Sequence, residues 1–387
     1  MVGTRFYFDV GNYATMLRLV RAEADRARRR KLLAAFLVGV PLMVTVHAIC
    51  FALDPLLFPS LRRTEVREPV FSVGHARSGT TYLHRLMAQD KRFSVVLMYE
   101  MFFPSLLEKR FLRLLFLADE RLFGRRLRSR IDAVEERTFA DTNDMHRTGF
   151  FAAEEDDFLL TWSLGSGFWI VLFPYLGQLD FYHVDRWSER KRRRMMRFYK
   201  ECVRRQLALN GGGTHLSKNP TFCGRVEALI ETFPDAKFIV PVRNPYETIP
   251  SLLKMLQTSW ALQGRDDRLI TESLRILADQ SFDSYHHPLE VLARHPEIRS
   301  CVVDYRELVG QPAATMRRVY DELNLEMAPE VAAAIDASRG QGHETTHRYS
   351  LDEFGLDPQE IHLRLADLFE RFGWDDEAEE GEHTGVN

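Results

Sequence analysis

The run PVFSVGHARSGTTYLHRLM at residues 69–87 leaves few options for the chain around it. A short apolar segment, a turn carrying Gly74 and Gly79, and an amphipathic stretch opening near Thr80 read as strand, tight loop and helix. Such a loop aims backbone N–H groups and a helix N-terminus at one point, which suits an anion. The nucleoside-triphosphate form of the loop is GxxxxGK[ST], with Lys directly before the hydroxyl residue. Here Thr80 and Thr81 follow Gly79 directly, and the cation, Arg77, precedes it. A triphosphate site also needs Mg²⁺ held by an acidic strand end, and the sequence shows no convincing strand of that type. An anion bound without metal needs fixed cationic donors instead, and the planar guanidinium of Arg77 provides them. Ser78, Gly79, Thr80 and Thr81 complete the expected anion cradle. Taken alone, the same residues also fit a helix cap with an incidental arginine.

Further apolar runs at residues 95–99, 215–217, 238–242 and 301–303 read as strands separated by helical patterns. The expected fold is therefore α/β, a P-loop-type parallel sheet flanked by helices. The interval 102–213 is too long for a simple crossover and reads as a helical insertion that shapes an acceptor pocket. Within it, residues 150–184 are rich in Phe, Trp, Tyr and Leu, read as core by default or else as the wall of the acceptor pocket, and carry the acidic run Glu154, Glu155, Asp156, Asp157. A basic helix then runs from Ser188 to the Gly211, Gly212, Gly213 stop.

Two later stretches carry chemistry. FPDAKFIVPVRNPYETIPSLLKM gives a strand over Lys237–Val242, Arg243 at its carboxyl end, and a helix opening at Pro245 that carries Ser251 two turns in. Both side chains reach the crevice above the sheet, where ligands of open α/β folds lie. LSKNPTF puts Lys218 at another strand end.

Together these residues resemble the sulfotransferase superfamily, whose 5′-phosphosulfate loop has Lys or Arg followed by SGTT or a close variant. GHARSGTTYLHRLMAQD is most similar to the bacterial branch that uses 3′-phosphoadenosine 5′-phosphosulfate (PAPS), and more distantly to the protein-tyrosine sulfotransferases. The resemblance runs from about Pro69 to Trp374. It implies PAPS as co-substrate with no metal, Arg243 and Ser251 on the 3′-phosphate, and Lys218 near the transferred sulfuryl group, where it would stabilise charge on the leaving phosphate. The cytosolic branch has a catalytic His two residues after that Lys. The position here is Pro220, so that base does not carry over. The tyrosylprotein and heparan branches use a Glu shortly after the phosphate-loop helix, and Glu100, at the end of the expected strand 95–99, takes that role. An isolated acid in so apolar a stretch is costly to bury without a partner or a raised pKa; its structural alternative is an ion pair with an Arg. Glu154, Glu155, His75, His84, His146 and His347 are the competing bases. The polar stretch near residue 343 resembles the family's last shared loop, and His347 and Arg348 there would add donors to the 3′-phosphate.

Residues 32–53, LLAAFLVGVPLMVTVHAICFAL, are long and apolar enough to enter a membrane, and the RARRRK flank before them favours a cytoplasmic N-terminus. Pro41 in mid-segment and the basic second flank of Arg62, Arg63 and Arg67 fit a monotopic, half-inserted helix as well as a single crossing. The expected localisation is membrane-associated, with the catalytic body in the cytoplasm; the alternative is a buried core helix. The expected organisation is a basic segment 1–31, a membrane-associated segment 32–61, a sulfotransferase domain 62–374 and an acidic, disordered tail 375–387.

A net charge of −3 with basic clusters suits an anionic small molecule or lipid surface, not duplex nucleic acid. Lipid, glycan, protein-tyrosine and small-molecule acceptors with a hydroxyl or amine all fit, and the apolar segment 32–53 favours a lipid or lipid-linked one. The four cysteines are scattered, without disulfide or zinc spacing, which favours a reducing compartment. A nucleotide kinase or NTPase, or a membrane protein that keeps the fold without catalysis, is the competing reading. The missing GK[ST] counts against the first, and Arg77, Lys218, Arg243, Ser251 and a candidate Glu together count against the second.

Overall fold

Strands β1 (Val70–Ser72) and β4 (Lys237–Val242) are buried along their whole length, as a sheet covered on both faces requires. With β2 (Phe93–Ser94), β3 (Thr214–Lys218) and β5 (Ser300–Asp304) they form one parallel sheet in the order β2-β3-β1-β4-β5. The computed structural model describes residues 3–139, 149–337 and 350–374. His146, His347, Arg348 and the acidic tail 375–387 lie outside the described residues.

Successive residues of a strand point to opposite faces. Phe71, Phe238 and Val240 accordingly join one apolar core, while Val70, Leu216, Ile239 and Val303 join another with Leu83, Leu86 and Met87 of the helix after β1. The result is a three-layer α/β/α body.

Two helices precede the sheet, α1 (Val10–Ala22) and α2 (Arg26–Leu57). Among the described residues α2 is the one helix long and apolar enough to cross a membrane. Pro41 does not break it. A proline offers no N–H to the preceding turn, and the strain is taken up by a π-helical stretch, Ala35–Gly39, just before it. After β1 come α3 (Thr80–Met87), the single turn α4 (Met98–Met101), α5 (Leu106–Phe123) and α6 (Arg126–Phe139). The long basic helix is α7 (Glu189–Asn210), closed by Gly211 at φ +84°. Between β4 and β5 run α8 (Pro245–Leu262) and α9 (Asp267–Arg294).

The second strand departs from expectation. It is Phe93–Ser94, and the end of the expected strand 95–99 turns into α4 (Met98–Met101) instead. Glu100 Oε2 accepts the Leu97 N–H at 3.3 Å, so the carboxylate caps its own helical turn. A short apolar run carries no periodicity strong enough to separate a strand from such a turn.

Candidate active site

The chain leaves β1 on one side of the sheet, builds β2 and β3, and returns to place β4 on the other side of β1. The carboxyl end of β1 is thus the switch point of the topology, where a crevice opens in α/β folds. The loop 73–79 sits there. At Gly74 a side-chain Cβ would lie 2.3 Å from the carbonyl oxygen of Pro241, so only glycine lets the loop pass β4. Gly79 has φ +86°, and a Cβ there would meet the Tyr305 ring at 2.6 Å. Ser78 Oγ donates to the His75 carbonyl at 2.6 Å and closes the turn. Arg77 holds a left-handed backbone, φ +71°, which is uncommon for a residue with a side chain. That conformation carries its guanidinium across to α8, where Nε donates to Ser251 Oγ at 3.1 Å.

Arg243 leaves the end of β4 toward the same point. It donates to the Arg77 carbonyl at 3.4 Å, pairs with Glu247, and lies 4.2 Å over the Tyr305 ring. Its own carbonyl accepts from Tyr285 at 2.6 Å, which fixes the strand end. Arg77, far from Arg243 and Ser251 in sequence, therefore joins them in one cluster.

On the other flank of the loop, Lys218 at the end of β3 is fully buried. Its ammonium donates to Thr81 Oγ1 at 3.3 Å and pairs with Glu155 at 3.0 Å and Glu154 at 3.3 Å. Burial alone would push this lysine down, but the two carboxylates, Glu155 more than Glu154, outweigh burial and hold it above the ordinary lysine value. The acids arrive from the insertion because residues 150–154 run antiparallel to residues 96–99. The Glu154 N–H donates to the Val96 carbonyl at 3.1 Å, and Leu97 bridges Ala153.

The next two acids face inward. Asp156 accepts from Ser217 at 2.8 Å, is 2.9 Å from His215 Nε2, and also bonds Tyr199 and Asn219. Burial would raise its pKa, yet His215 and the hydroxyl donors hold it below the ordinary aspartate value. Asp157 pairs with Arg225 at 3.0 Å and accepts the Gly167 N–H at 2.6 Å. These contacts fix both strand β3 and the segment that presents Glu154 and Glu155. Two histidines nearby are neutral at physiological pH. Burial pushes His75 down to about 4, and burial together with the Lys218 charge pushes His84 down to about 3.

A family model described as the sulfotransferase family matches residues 69–329, from the strand of the phosphate loop through β5 and beyond. The chain belongs to the sulfotransferase family. Its fold is similar to those of the sulfotransferases STF9 from Mycobacterium avium and STF1 from Mycobacterium tuberculosis H37Rv. The first has a TM-score of 0.68 and 20% identity over 94% of this chain and 92% of the other. The second has 0.64 and 20% over 93% and 94%. A curated relative, the omega-hydroxy-beta-dihydromenaquinone-9 sulfotransferase Stf3 of Mycobacterium bovis, is 29% identical over 268 residues, which are 66% of this chain. The match spans 63% of that relative's own length, and the same figures hold for Stf3 of Mycobacterium tuberculosis.

In this sulfotransferase-family fold Arg77 meets Ser251 and Arg243 beside the loop, and Lys218 reaches Thr81 from β3. Glu100 does not point where the expected strand would have aimed it. It is fully buried in α4, and Arg113 of α5 reaches its Oε1 at 2.6 Å while Gln206 of α7 reaches its Oε2 at 2.7 Å. Tyr99 adds a third donor to Oε1 at 3.1 Å. The reason is the helical turn: it rotates the side chain away from the sheet crest toward the two long helices. Tyr305, Asp156 and Asp157 are the site-supporting residues that sequence reasoning missed. Four consecutive acids in an apolar stretch were the available signal, since each needs a buried cation or donor.

Proposed function

We propose that this protein transfers a sulfuryl group from PAPS to a hydroxyl on a lipidic acceptor. The observation that carries the reading is Lys218, which touches the phosphate loop at Thr81 and the acidic pair Glu154 and Glu155 at once. Arg77, Ser251 and Arg243 would hold the phosphate groups of PAPS, with the backbone N–H groups around Gly79 on the phosphosulfate. His347 and Arg348 would add donors to the 3′-phosphate.

In the step itself the acceptor oxygen attacks sulfur in line. The sulfur–oxygen bond to the phosphate breaks, and its electron pair stays on the former bridging oxygen as adenosine 3′,5′-bisphosphate leaves. Lys218 would meet that growing charge, exchanging one carboxylate for it as the donor binds. The freed carboxylate takes the acceptor proton. Glu155 suits this role best, because its side chain keeps 16% exposure against 3% for Glu154. The saturated contacts of Glu100 support an ion-pair role for it, and Glu155 replaces it as the proposed base.

An apolar acceptor is supported by the exposed α2 and by the substrate in the name of the Stf3 relatives, omega-hydroxy-beta-dihydromenaquinone-9. We place the protein on the cytoplasmic side of a membrane. His47 and Asp54 of α2 are fully buried against the body, so the helix and the body stay on one side, the side of the basic segment before α2.

Calorimetry tests the donor site. Adenosine 3′,5′-bisphosphate is expected to bind in the presence of EDTA, and Arg77→Ala and Arg243→Ala are each expected to weaken it by about 2–3 kcal/mol through loss of a charge-assisted contact. Unchanged affinity in both variants, or tighter binding of ATP with Mg²⁺, would overturn the assignment. Labelled PAPS incubated with protein and membrane lipids is expected to yield a labelled lipid.

A further inference from the structure

The membrane contact proposed above rests on α2, yet α2 is not the only helix with an unpartnered apolar face. Its outward side carries Val38, Leu42, Val46, Ile49, Leu53 and Leu56, all exposed, at the three- and four-residue spacing of one helical stripe. Only 17% of its apolar window is buried. The stripe is about 30 Å long at the rise of an α-helix.

Helix α5 repeats the pattern. Phe111, Leu114 and Leu122 are exposed at 63%, 64% and 74%, and Leu115 and Phe123 are exposed beside them. Its opposite face is pinned to α7: Lys109 donates to Gln206 at 2.6 Å, and Arg113 reaches the Leu209 carbonyl at 3.2 Å. Helix α2 is pinned to the same α7 through Asp54 and Arg205, 2.7 Å apart. The two helices also clamp each other, with His47 Nδ1 2.7 Å from Glu108 and Asp54 accepting the Leu106 and Leu107 N–H groups. With both inner faces held by one helix, both apolar faces turn away from the body, side by side.

The segments that enter and leave these faces are basic and exposed: Arg26, Arg30 and Lys31 before the α2 stripe, Arg62 and Arg63 after it, Arg121 and Arg125 at the end of α5. Apolar stripes bordered by cations match the headgroup and upper acyl layer of an anionic bilayer. A crossing α2 would have to give up the contacts of buried His47 and Asp54 within hydrocarbon. We infer that α2 and α5 together form one in-plane docking surface for an anionic lipid bilayer, lying on the membrane without crossing it.

Flotation of the full chain with phosphatidylcholine–phosphatidylglycerol vesicles tests this. The wild-type chain is expected to float with them, far less with pure phosphatidylcholine, and to be released by high salt and by alkaline carbonate. Phe111→Gln/Leu114→Gln/Leu122→Gln is expected to lower vesicle affinity on the order of 100-fold with an unchanged thermal melt, because all three side chains are exposed. Leu42→Gln/Ile49→Gln on α2 is the companion variant and should weaken binding similarly. Binding by wild type that the α5 triple variant leaves intact overturns the two-helix surface and leaves α2 anchoring standing. No vesicle binding by wild type removes both. Retention through carbonate shows a crossing helix and overturns the in-plane arrangement, as does a solution dimer that the α5 variant dissolves.

Discussion

Glu155→Gln is expected to lower kcat for sulfuryl transfer by about 10²–10⁴ while leaving affinity for adenosine 3′,5′-bisphosphate unchanged, the signature of a lost general base. The carboxylate lies 3.0 Å from Lys218, which in turn touches Thr81 of the phosphate loop, so it stands one side chain from the proposed sulfuryl position. Replacing it by the amide keeps the shape and removes only the proton acceptor. Glu154→Gln, at a more buried position on the same lysine, is expected to show a smaller loss. Glu100→Gln separates the alternatives. Its carboxylate answers Arg113, Tyr99 and Gln206, so its loss should appear as reduced thermal stability, about 1–3 kcal/mol, with normal turnover by the folded fraction. Full activity in Glu155→Gln together with a large kcat loss in Glu100→Gln would return the base to Glu100 and require α4 to reorient when substrate binds.

Asp54→Ala is expected to destabilise the fold by about 3–5 kcal/mol, since it strands a buried guanidinium. Asp54 and Arg205 are both fully buried and pair at 2.7 Å. The same carboxylate accepts from Ser105 Oγ at 2.9 Å and caps α5 through Leu106 and Leu107. Arg205 also lies 3.4 Å over the Phe51 ring and donates to the Phe51 carbonyl at 3.1 Å. The end of α2 is thereby part of the cooperative unit that contains α5 and α7. Denaturant unfolding in mild detergent measures the loss. A change below about 1 kcal/mol, the range of exposed pairs, would mean that α2 separates from the body without unfolding it, and a crossing helix would then become compatible with the rest of the molecule.

The sequence by itself determined the phosphate loop, the strand–helix order around it and the residues that meet there. A glycine turn between an apolar strand and an amphipathic helix is written in neighbouring residues, and the strand ends at Lys218 and Arg243 are local features of the same kind. It also determined that α2 is apolar enough for a membrane. Which way a side chain turns was decided only by tertiary structure. Glu100 sits in an apolar run that reads equally as strand or helical turn, and its partners Arg113 and Gln206 lie 13 and 106 positions away. The acidic run shows the same limit: four adjacent residues of one chemical type divide between the crevice and the interior. That division depends on Lys218, His215 and Arg225, which come from β3 and the turn after it, about 60 positions on or more. Whether the apolar face of α2 stands alone or beside a second one likewise depended on α7, which holds α2 and α5 by their buried charges and turns both stripes outward.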